Sequence, residues 1–327
     1  MPDLVIIDRK TAQELLSAEM CLSAVEAAMR ALTSGAASAP LRQIMPVEDG
    51  ESQLLLMPAA AASEAVFGFK ALSIRPSNSS VGRPAIQGFI TLFDQSTGAP
   101  VALIDGETVT AMRTAAASAV ASRALARGNA TAHGILGTGV QAESHARMVL
   151  QACPQIEIIV IWGRSRERAD SLVSTLSGTI DCNIISGTLT DALSCGIVSA
   201  VTSAKEPFIS RSLVSDGAHL NLVGSHSPAR READSDTIAA GRIYVDCKSA
   251  ALKEAGDLII PICERALRPS DIIGEIGDVL RGKISGRQSD DELTIFKSLG
   301  NGVQDLYVAA ALREHAAVQG KGHRIAI

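Results

Sequence analysis

The spacing of apolar positions along the 327 residues changes character twice. Before Gly35, apolar residues recur at helical spacing in two stretches, each opened by a hydroxyl residue with an acid three positions later: Thr11 with Glu14, and Ser23 with Glu26. This predicts two helices starting in capping boxes, the second ending at Gly35. Between 53 and 105 the period shortens. Residues 66–73, 87–94 and 100–105 are β-prone runs separated by turn-forming clusters at 76–80 and 95–98, which predicts an antiparallel α+β segment and not a repeated βαβ unit. An Ala-rich helix is expected over 108–127, stopped by Gly128-Asn129 and joining two domains. From Thr131 the rhythm becomes strand, helix, strand: 132–136, a helix to Ala152, 157–162, a helix to Leu176, then strands at 197–203, 219–223 and 242–246. That alternation predicts a parallel, doubly wound sheet. Residues 289–319 read as a further helix that folds back on the first domain. The fold class expected is therefore α/β, a Rossmann domain beside an α+β domain.

Composition narrows the picture. With 46% hydrophobic and 20% charged residues but only 3% aromatics, the cores must be built from Ala, Val, Ile and Leu, as in many α/β enzymes. The formal charge of −5 and the lack of any Lys/Arg block argue against nucleic acid as a partner. The opening MPDLVIIDRK has none of the features of a signal peptide, and no apolar run approaches ~18 residues, so a cytoplasmic protein without membrane attachment is expected. The six cysteines are scattered and the six histidines never fall at H-x-x-x-H spacing; no metal is expected.

The most informative motif is Gly137-Thr138-Gly139-Val140-Gln141-Ala142. A G-x-G-x-x-A pattern alone says little. Here an apolar strand precedes it, a helix follows and a second strand ends at Trp162, giving the ~30-residue unit of a dinucleotide site. Gly137 permits the tight turn, Gly139 lets the backbone approach a diphosphate, and Ala142 lets helix and strand pack closely. NAD-selective versions carry an acid at the end of the second strand to bond the ribose 2′-hydroxyl. This chain reads Trp162-Gly163-Arg164-Ser165-Arg166 there. With two guanidinium groups and a hydroxyl facing the position of a 2′-phosphate, NADPH is expected over NADH. The plainer alternative is that these arginines decorate a solvated helix start.

Arg42, Lys70 and Arg113 are candidates for gripping an anionic substrate. Each is equally readable as a solvated residue, Lys70 especially, because strand alternation sets it opposite Phe67 and Phe69. Their combination has a chemical logic. Hydride addition to a C=N carbon needs the adjacent carboxylate fixed and the nitrogen kept protonated. A serine-hydrolase reading fails for lack of a G-x-S-x-G elbow.

Arg113-Thr114-Ala115-Ala116, Gly137-Thr138-Gly139 with Gln141-Ala142 and His145, Lys205-Glu206-Pro207, Asn221-Leu222-Val223-Gly224, Glu275-Ile276-Gly277-Asp278 and Gln304-Asp305-Leu306 together resemble the ornithine cyclodeaminase/mu-crystallin superfamily, over nearly the whole chain. The resemblance implies a homodimer in which residues 1–113 with 303–327 form the substrate-binding and dimerisation domain and 114–302 the NADP-binding domain. It places Arg42, Lys70 and Arg113 around the substrate carboxylate and reacting nitrogen, and Thr202, Ser203, Val223, Gly224, Ser298 and Gly300 at the cofactor. Where cyclodeaminases carry an Asp two residues after the Gly of Asn-x-Val-Gly, this chain has His226, and the Thr/Ser-His pair of other members is Ala85-Ile86. The variants Pro84-Ala85-Ile86-Gln87-Gly88 and Gly224-Ser225-His226-Ser227-Pro228 look most like bacterial reductases of cyclic imino acids. The implied reaction is NADPH-dependent reduction of Δ1-pyrroline-2-carboxylate to L-proline, with Δ1-piperideine-2-carboxylate to L-pipecolate as a second substrate. Lys70 and His226 are then the proton-handling candidates, His226 either as a relay or as a space-filling replacement. The competing readings are an ornithine cyclodeaminase or alanine dehydrogenase, and a mu-crystallin-like NADPH-dependent ligand-binding protein.

Overall fold

Strand β1 (Leu4–Ile7) alternates half-buried and buried positions and leads into helices α1 (Arg9–Leu15) and α2 (Ala18–Ser34). This is a computed structural model that describes residues 3–326. Both helices begin earlier than the capping-box spacing predicts. The Asp8 carboxylate accepts from the Thr11 amide at 2.8 Å and Ser17 Oγ from the Met20 amide at 3.1 Å, so Thr11 and Ser23 lie inside their helices. Glu26, expected to reach back to a cap, pairs forward with Arg30 at 2.7 Å. The second helix does end at Gly35, in the left-handed conformation at φ 79°. Strands β2 (Ala37–Ser38), β3 (Gln43–Pro46), β4 (Gln53–Ala61), β5 (Val66–Ile74), β6 (Ile86–Asp94) and β7 (Pro100–Asp105) follow, β4 to β7 pairing antiparallel in sequence order.

Helix α3 (Gly106–Leu125) opens the parallel half of the chain. There β8 (Ala132–Leu136), α4 (Val140–Ala152), β9 (Ile158–Trp162), α5 (Arg166–Ser177), β10 (Asn183–Ser186), α6 (Leu189–Leu193), β11 (Ile197–Ala200), β12 (His219–Leu222), α7 (Ser235–Ala239), β13 (Gly241–Val245), α8 (Lys248–Glu254), α9 (Gly256–Cys263), β14 (Ile272–Glu275), α10 (Ile276–Leu280) and β15 (Leu293–Lys297) build one sheet. Its order is β10-β9-β8-β11-β12-β15-β13-β14, parallel throughout. The chain runs outward from β8 to β10 and resumes on the other side at β11, a topological switch point at whose carboxyl edge a ligand crevice forms in such sheets. Helix α11 (Gly302–Val318) and β16 (His323–Ile325) complete the first sheet, of order β16-β1-β7-β6-β5-β4-β2 with β3 on β4. Contacts divide the chain into two compact units, Met1–Arg113 with Asn301–Ile327, and Thr114–Gly300.

The helix expected over 289–319 is corrected at its start. Residues Leu293–Lys297 form β15, every one of them buried, between β12 and β13. A parallel strand covered on both faces shows no alternation, so Leu-Thr-Ile-Phe-Lys carried no period-two signal.

Beneath α3 the second unit holds a polar layer inside its core. His133 Nε2 lies 3.0 Å from Ser199 Oγ, His219 bridges Thr294 Oγ1 at 2.9 Å and Asn221 Oδ1 at 3.1 Å, and Asn221 Nδ2 donates to Ser122 Oγ at 2.9 Å. His145 donates from Nδ1 to the Gln141 carbonyl at 2.7 Å, while its Nε2 meets Ser118 Oγ at 2.9 Å. Burial holds these three imidazoles neutral, lowering His133 and His219 to about 3 and His145 to about 4. Their contribution is complete above the ordinary histidine value of 6.5 and is lost as the pH falls toward those lowered values, because the unfolded chain takes up protons first. Urea midpoints are therefore expected to fall steeply between about pH 6.5 and 4, and to fall less when His133 is replaced by Asn.

Candidate active site

In the first unit the site starts from register. On β5, Val66, Gly68, Lys70 and Leu72 share one face and Phe67 and Phe69 the other, and it is the Lys70 face that is covered. Lys70 sits between Met57 and Ile90 on the neighbouring strands and is 1% exposed. The reading of Lys70 as a solvated strand residue is thus corrected: α11 lies over this face, and the exposed side belongs to Phe67. An ammonium there needs an acid, which α11 supplies. Lys70 Nζ donates to Asp305 Oδ1 at 2.8 Å and to Thr110 Oγ1 at 3.1 Å. Arg113, also buried, donates from Nε to the same Asp305 oxygen at 2.9 Å and from Nη1 to Gln304 Oε1 at 3.1 Å.

Two cations thus share one carboxylate oxygen. Desolvation, then the Arg113 charge, lowers the Lys70 ammonium to about 7 against the pull of Asp305, and Arg42, half-buried in the loop after β2, pushes in the same direction. Lys70 spends two of its three N–H groups on protein, and Arg113 leaves donors of its fork uncommitted. Asp305 Oδ2 and Gln304 Nε2 are buried with no hydrogen-bond partner among the described residues. The structure brings Lys70 and Arg113 together and sets Arg42 near enough for its charge to be felt. Asp305, Gln304 and Thr110 received no role from the sequence. Asp305 could have been singled out: a lone acid in Val303-Gln304-Asp305-Leu306-Tyr307-Val308 sits in a helix that is apolar all round and must be paired.

In the second unit, every residue expected at a dinucleotide lies beyond the carboxyl end of a parallel strand. Gly137 takes φ 134°, and a Cβ there would stand 2.9 Å from the Val201 carbonyl, so only glycine turns this corner; its amide donates to the Trp162 carbonyl at 2.8 Å. Thr138 packs on Gly163, which brings the Arg164 and Ser165 segment beside the glycine turn. Gly139 caps α4 without a side-chain bond, a Cβ on it would meet nothing within 4 Å, and Val140 is 70% exposed. Gln141 Oε1 and Ser298 Oγ are buried with no hydrogen-bond partner among the described residues. An open glycine, an uncapped helix start and orphaned polar atoms fit a diphosphate and a polar ring.

Arg164 is exposed, Ser165 caps α5 by accepting from the Arg168 amide, and Arg166 pairs with Asp170 at 2.9 Å. Thr202 and the exposed Ser203 follow β11; Val223 and Gly224 follow β12, with His226 exposed two residues on. Ser298 and Gly300 follow β15, where the Asp246 carboxylate accepts from the Leu299 amide at 2.9 Å and the Gly300 amide at 2.5 Å. His145 faces inward to Ser118 and anchors the first turn of α4. No group of three or more His, Cys, Asp or Glu among the described residues could hold a metal ion, and no helix among them is long and apolar enough to cross a membrane.

Residues 3–320 match the model of the ornithine cyclodeaminase/mu-crystallin family. A Delta(1)-pyrroline-2-carboxylate reductase of Bacillus cereus is 34% identical over 325 residues, covering 98% of this chain and 99% of its own. The structure of the Thermococcus litoralis Delta(1)-pyrroline-2-carboxylate reductase in complex with NADH and L-proline superposes with a TM-score of 0.94 at 32% identity, covering 98% of this chain and all (100%) of that one. An archaeal alanine dehydrogenase dimer with bound NAD also reaches a TM-score of 0.94, at 26% identity and 99% coverage of both chains.

Proposed function

We propose, on the premise that this chain belongs to the ornithine cyclodeaminase/mu-crystallin family, that it reduces cyclic imino acids at the C=N bond, converting Δ1-pyrroline-2-carboxylate to L-proline and also taking Δ1-piperideine-2-carboxylate. The chain is an oxidoreductase that uses a nicotinamide dinucleotide. The observation that carries the substrate reading is the pair of buried cations on one carboxylate oxygen, Lys70 at 2.8 Å and Arg113 at 2.9 Å from Asp305 Oδ1.

Asp305 fixes one edge of Arg113, so the remaining donors of its fork clamp the carboxylate beside the imine carbon, with Arg42 adding positive charge to the same site. Lys70 directs its third N–H at the lone pair of the imine nitrogen and transfers that proton to it, leaving Lys70 a neutral amine and the C=N an iminium whose C2 accepts hydride. The dinucleotide, when bound, supplies the hydride. His226, exposed at the bend after β12, is the proposed relay that returns a proton from solvent. Lowered to about 7, Lys70 is poised to give and regain a proton near neutrality.

Backbone at Gly137, Thr138 and Gly139 and the start of α4 hold the diphosphate in this reading, Arg164 and Ser165 a 2′-phosphate, and Thr202, Ser203, Val223, Gly224, Ser298 and Gly300 the nicotinamide. NADPH is the proposed cofactor, with NADH less preferred. Two similar structures hold NADH or NAD, so titrating this chain with both cofactor forms decides the selectivity. Replacing Arg164 by Ala is expected to weaken NADPH about 10- to 100-fold, the worth of a charge-assisted hydrogen bond, and to leave NADH unaffected in fluorescence titration. A homodimer is proposed as well. The uncovered face of the first sheet carries Phe67, 39% exposed and stacked on Phe93 at 5.3 Å, and farther along the same pair of strands Phe89, opposite Ala71 and 42% exposed. The proposed compartment is the cytoplasm, where six free thiols stay reduced.

The deciding experiment is NADPH consumption with a panel of cyclic imines, with pyruvate plus ammonia, and with ornithine, followed by chiral identification of the product. Rapid reduction of a cyclic imine to the L-amino acid is the expected result. Ammonia release from ornithine without net nicotinamide turnover, or tight NADPH binding with no turnover of any imine, would replace it with the cyclodeaminase or binding-protein reading.

A further inference from the structure

Glu232 lies outside every residue assigned so far. It follows the loop after β12 and is fully buried. Its carboxylate joins two separate loops: Oε1 accepts from the Thr202 amide at 2.9 Å and from Thr202 Oγ1 at 2.7 Å, and Oε2 accepts from the Gly224 amide at 2.8 Å. The loops touch there. A Cβ on Gly224 would fall 2.0 Å from the Thr202 carbonyl and 2.6 Å from Glu232 Oε1, so a glycine is required for the carboxylate to reach both. Glu232 is itself held from below. Asp257 Oδ1 accepts from the amides of Glu232 at 2.7 Å and Ala233 at 3.2 Å, while Asp257 Oδ2 takes Lys297 Nζ at 2.9 Å. Lys297 Nζ also donates to the Ser225 carbonyl at 2.5 Å, next to His226. A rigid column of charge thus runs from β15 through α9 to the loop after β12.

We propose that Glu232 is a positioning residue for the nicotinamide end of the dinucleotide site, setting the spacing between the Thr202 and Gly224 loops and through it the ring pose from which hydride leaves. This rests on the dinucleotide reading above. The chemistry of the donor set makes the charge matter: three donors converge on two oxygens, and only an ionised carboxylate accepts from all of them. Glutamine would turn an NH2 group against either the Thr202 or the Gly224 amide, donor to donor, and push the loops apart. The groups facing Glu232 are Asp257 on α9 and Lys297 on β15; burial and then Asp257 raise its carboxyl to about 6, with Lys297 acting in the opposite sense. Protonation in that range would mimic the glutamine.

The test uses the full chain carrying Glu232→Gln, with NADPH and 2′,5′-ADP as probes and the unfolding midpoint as a check of folding. The variant is expected to bind 2′,5′-ADP within about twofold of the parent, because the adenosine half is untouched, while the fluorescence enhancement of bound NADPH is lost and kcat falls about 10- to 100-fold. In the parent the bound-NADPH signal should decline as the pH drops through about 6, and in the variant it should be flat. An unchanged enhancement, kcat and pH profile in a folded variant would overturn the assignment. Should Glu232→Gln not fold, Thr202→Val removes one bond to the carboxylate and is expected to lower the same signal in part; no change there would equally overturn it. A parent chain that binds neither probe would instead remove the dinucleotide reading itself.

Discussion

Replacing Lys70 by Met is expected to lower kcat on the cyclic imine by about 10²- to 10⁴-fold, the range typical of a lost proton donor, with NADPH affinity unchanged. The substitution is mild for the fold. Met fills a site flanked by Met57 and Ile90, and Asp305 keeps Arg113 as its partner at 2.9 Å, so no buried charge is left alone. Exchanging a buried cation for an apolar side chain of similar length is often neutral or stabilising, so thermal unfolding should not fall. Lost activity could then not be assigned to misfolding. The pH dependence supplies an independent mark. Lys70 must be protonated to convert the imine to the iminium, so kcat/KM should decline as the pH rises through about 7, and residual activity in the Met variant should lack that limb. Steady-state rates with single-turnover measurements and NADPH titration decide it. An unchanged rate would remove Lys70 from the chemistry.

Asp305→Asn is expected to have the largest effect on stability, about 3–5 kcal/mol, because it leaves two buried cations without their carboxylate. The loss should depend on pH in a defined sense. Without Asp305 the Lys70 ammonium falls further below its ordinary 10.5, so the unfolded chain binds a proton that the folded chain has shed. Stability of the variant must then rise with pH across the interval between the folded and ordinary values, and be poorest on the acid side, where Lys70 is forced to stay charged. Urea unfolding of parent and variant at several pH values measures this. Combining Asp305→Asn with Lys70→Met should recover part of the loss, leaving only Arg113 uncompensated. Equal destabilisation at all pH values would mean that Lys70 does not titrate in the folded chain.

The parts legible in sequence are those where one local signal dominates. The β8–α4–β9 unit announces itself because an apolar run, small residues at fixed offsets and a helical period follow each other within a short span, and Gly35 ends α2 because a left-handed cap favours glycine. Lys70 shows the limit of alternation. The pattern states that Lys70 opposes Phe67 and Phe69, but which face is covered depends on α11, far along the chain. Strand β15 was hidden because both its faces are buried. Glu232 was hidden for the opposite reason: it stands in Arg230-Arg231-Glu232-Ala233-Asp234, an ordinary polar stretch, and only its placement between two loops distinguishes it.

The late position of α11 and β15 bears on how the chain is made. Lys70 and Arg113 leave the ribosome 235 and 192 residues ahead of Asp305, the acid that neutralises them, and the parallel sheet lacks an interior strand until residues 293–297 emerge. Domains generally fold in order of synthesis, the amino-terminal one first. Here neither half can close early. Nascent chains must hold an unfinished sheet until residues 293–297 emerge and an unneutralised cation pair until Asp305 does, and a stop codon or frameshift anywhere before residue 293 should leave both halves open to proteolysis, not just the missing segment.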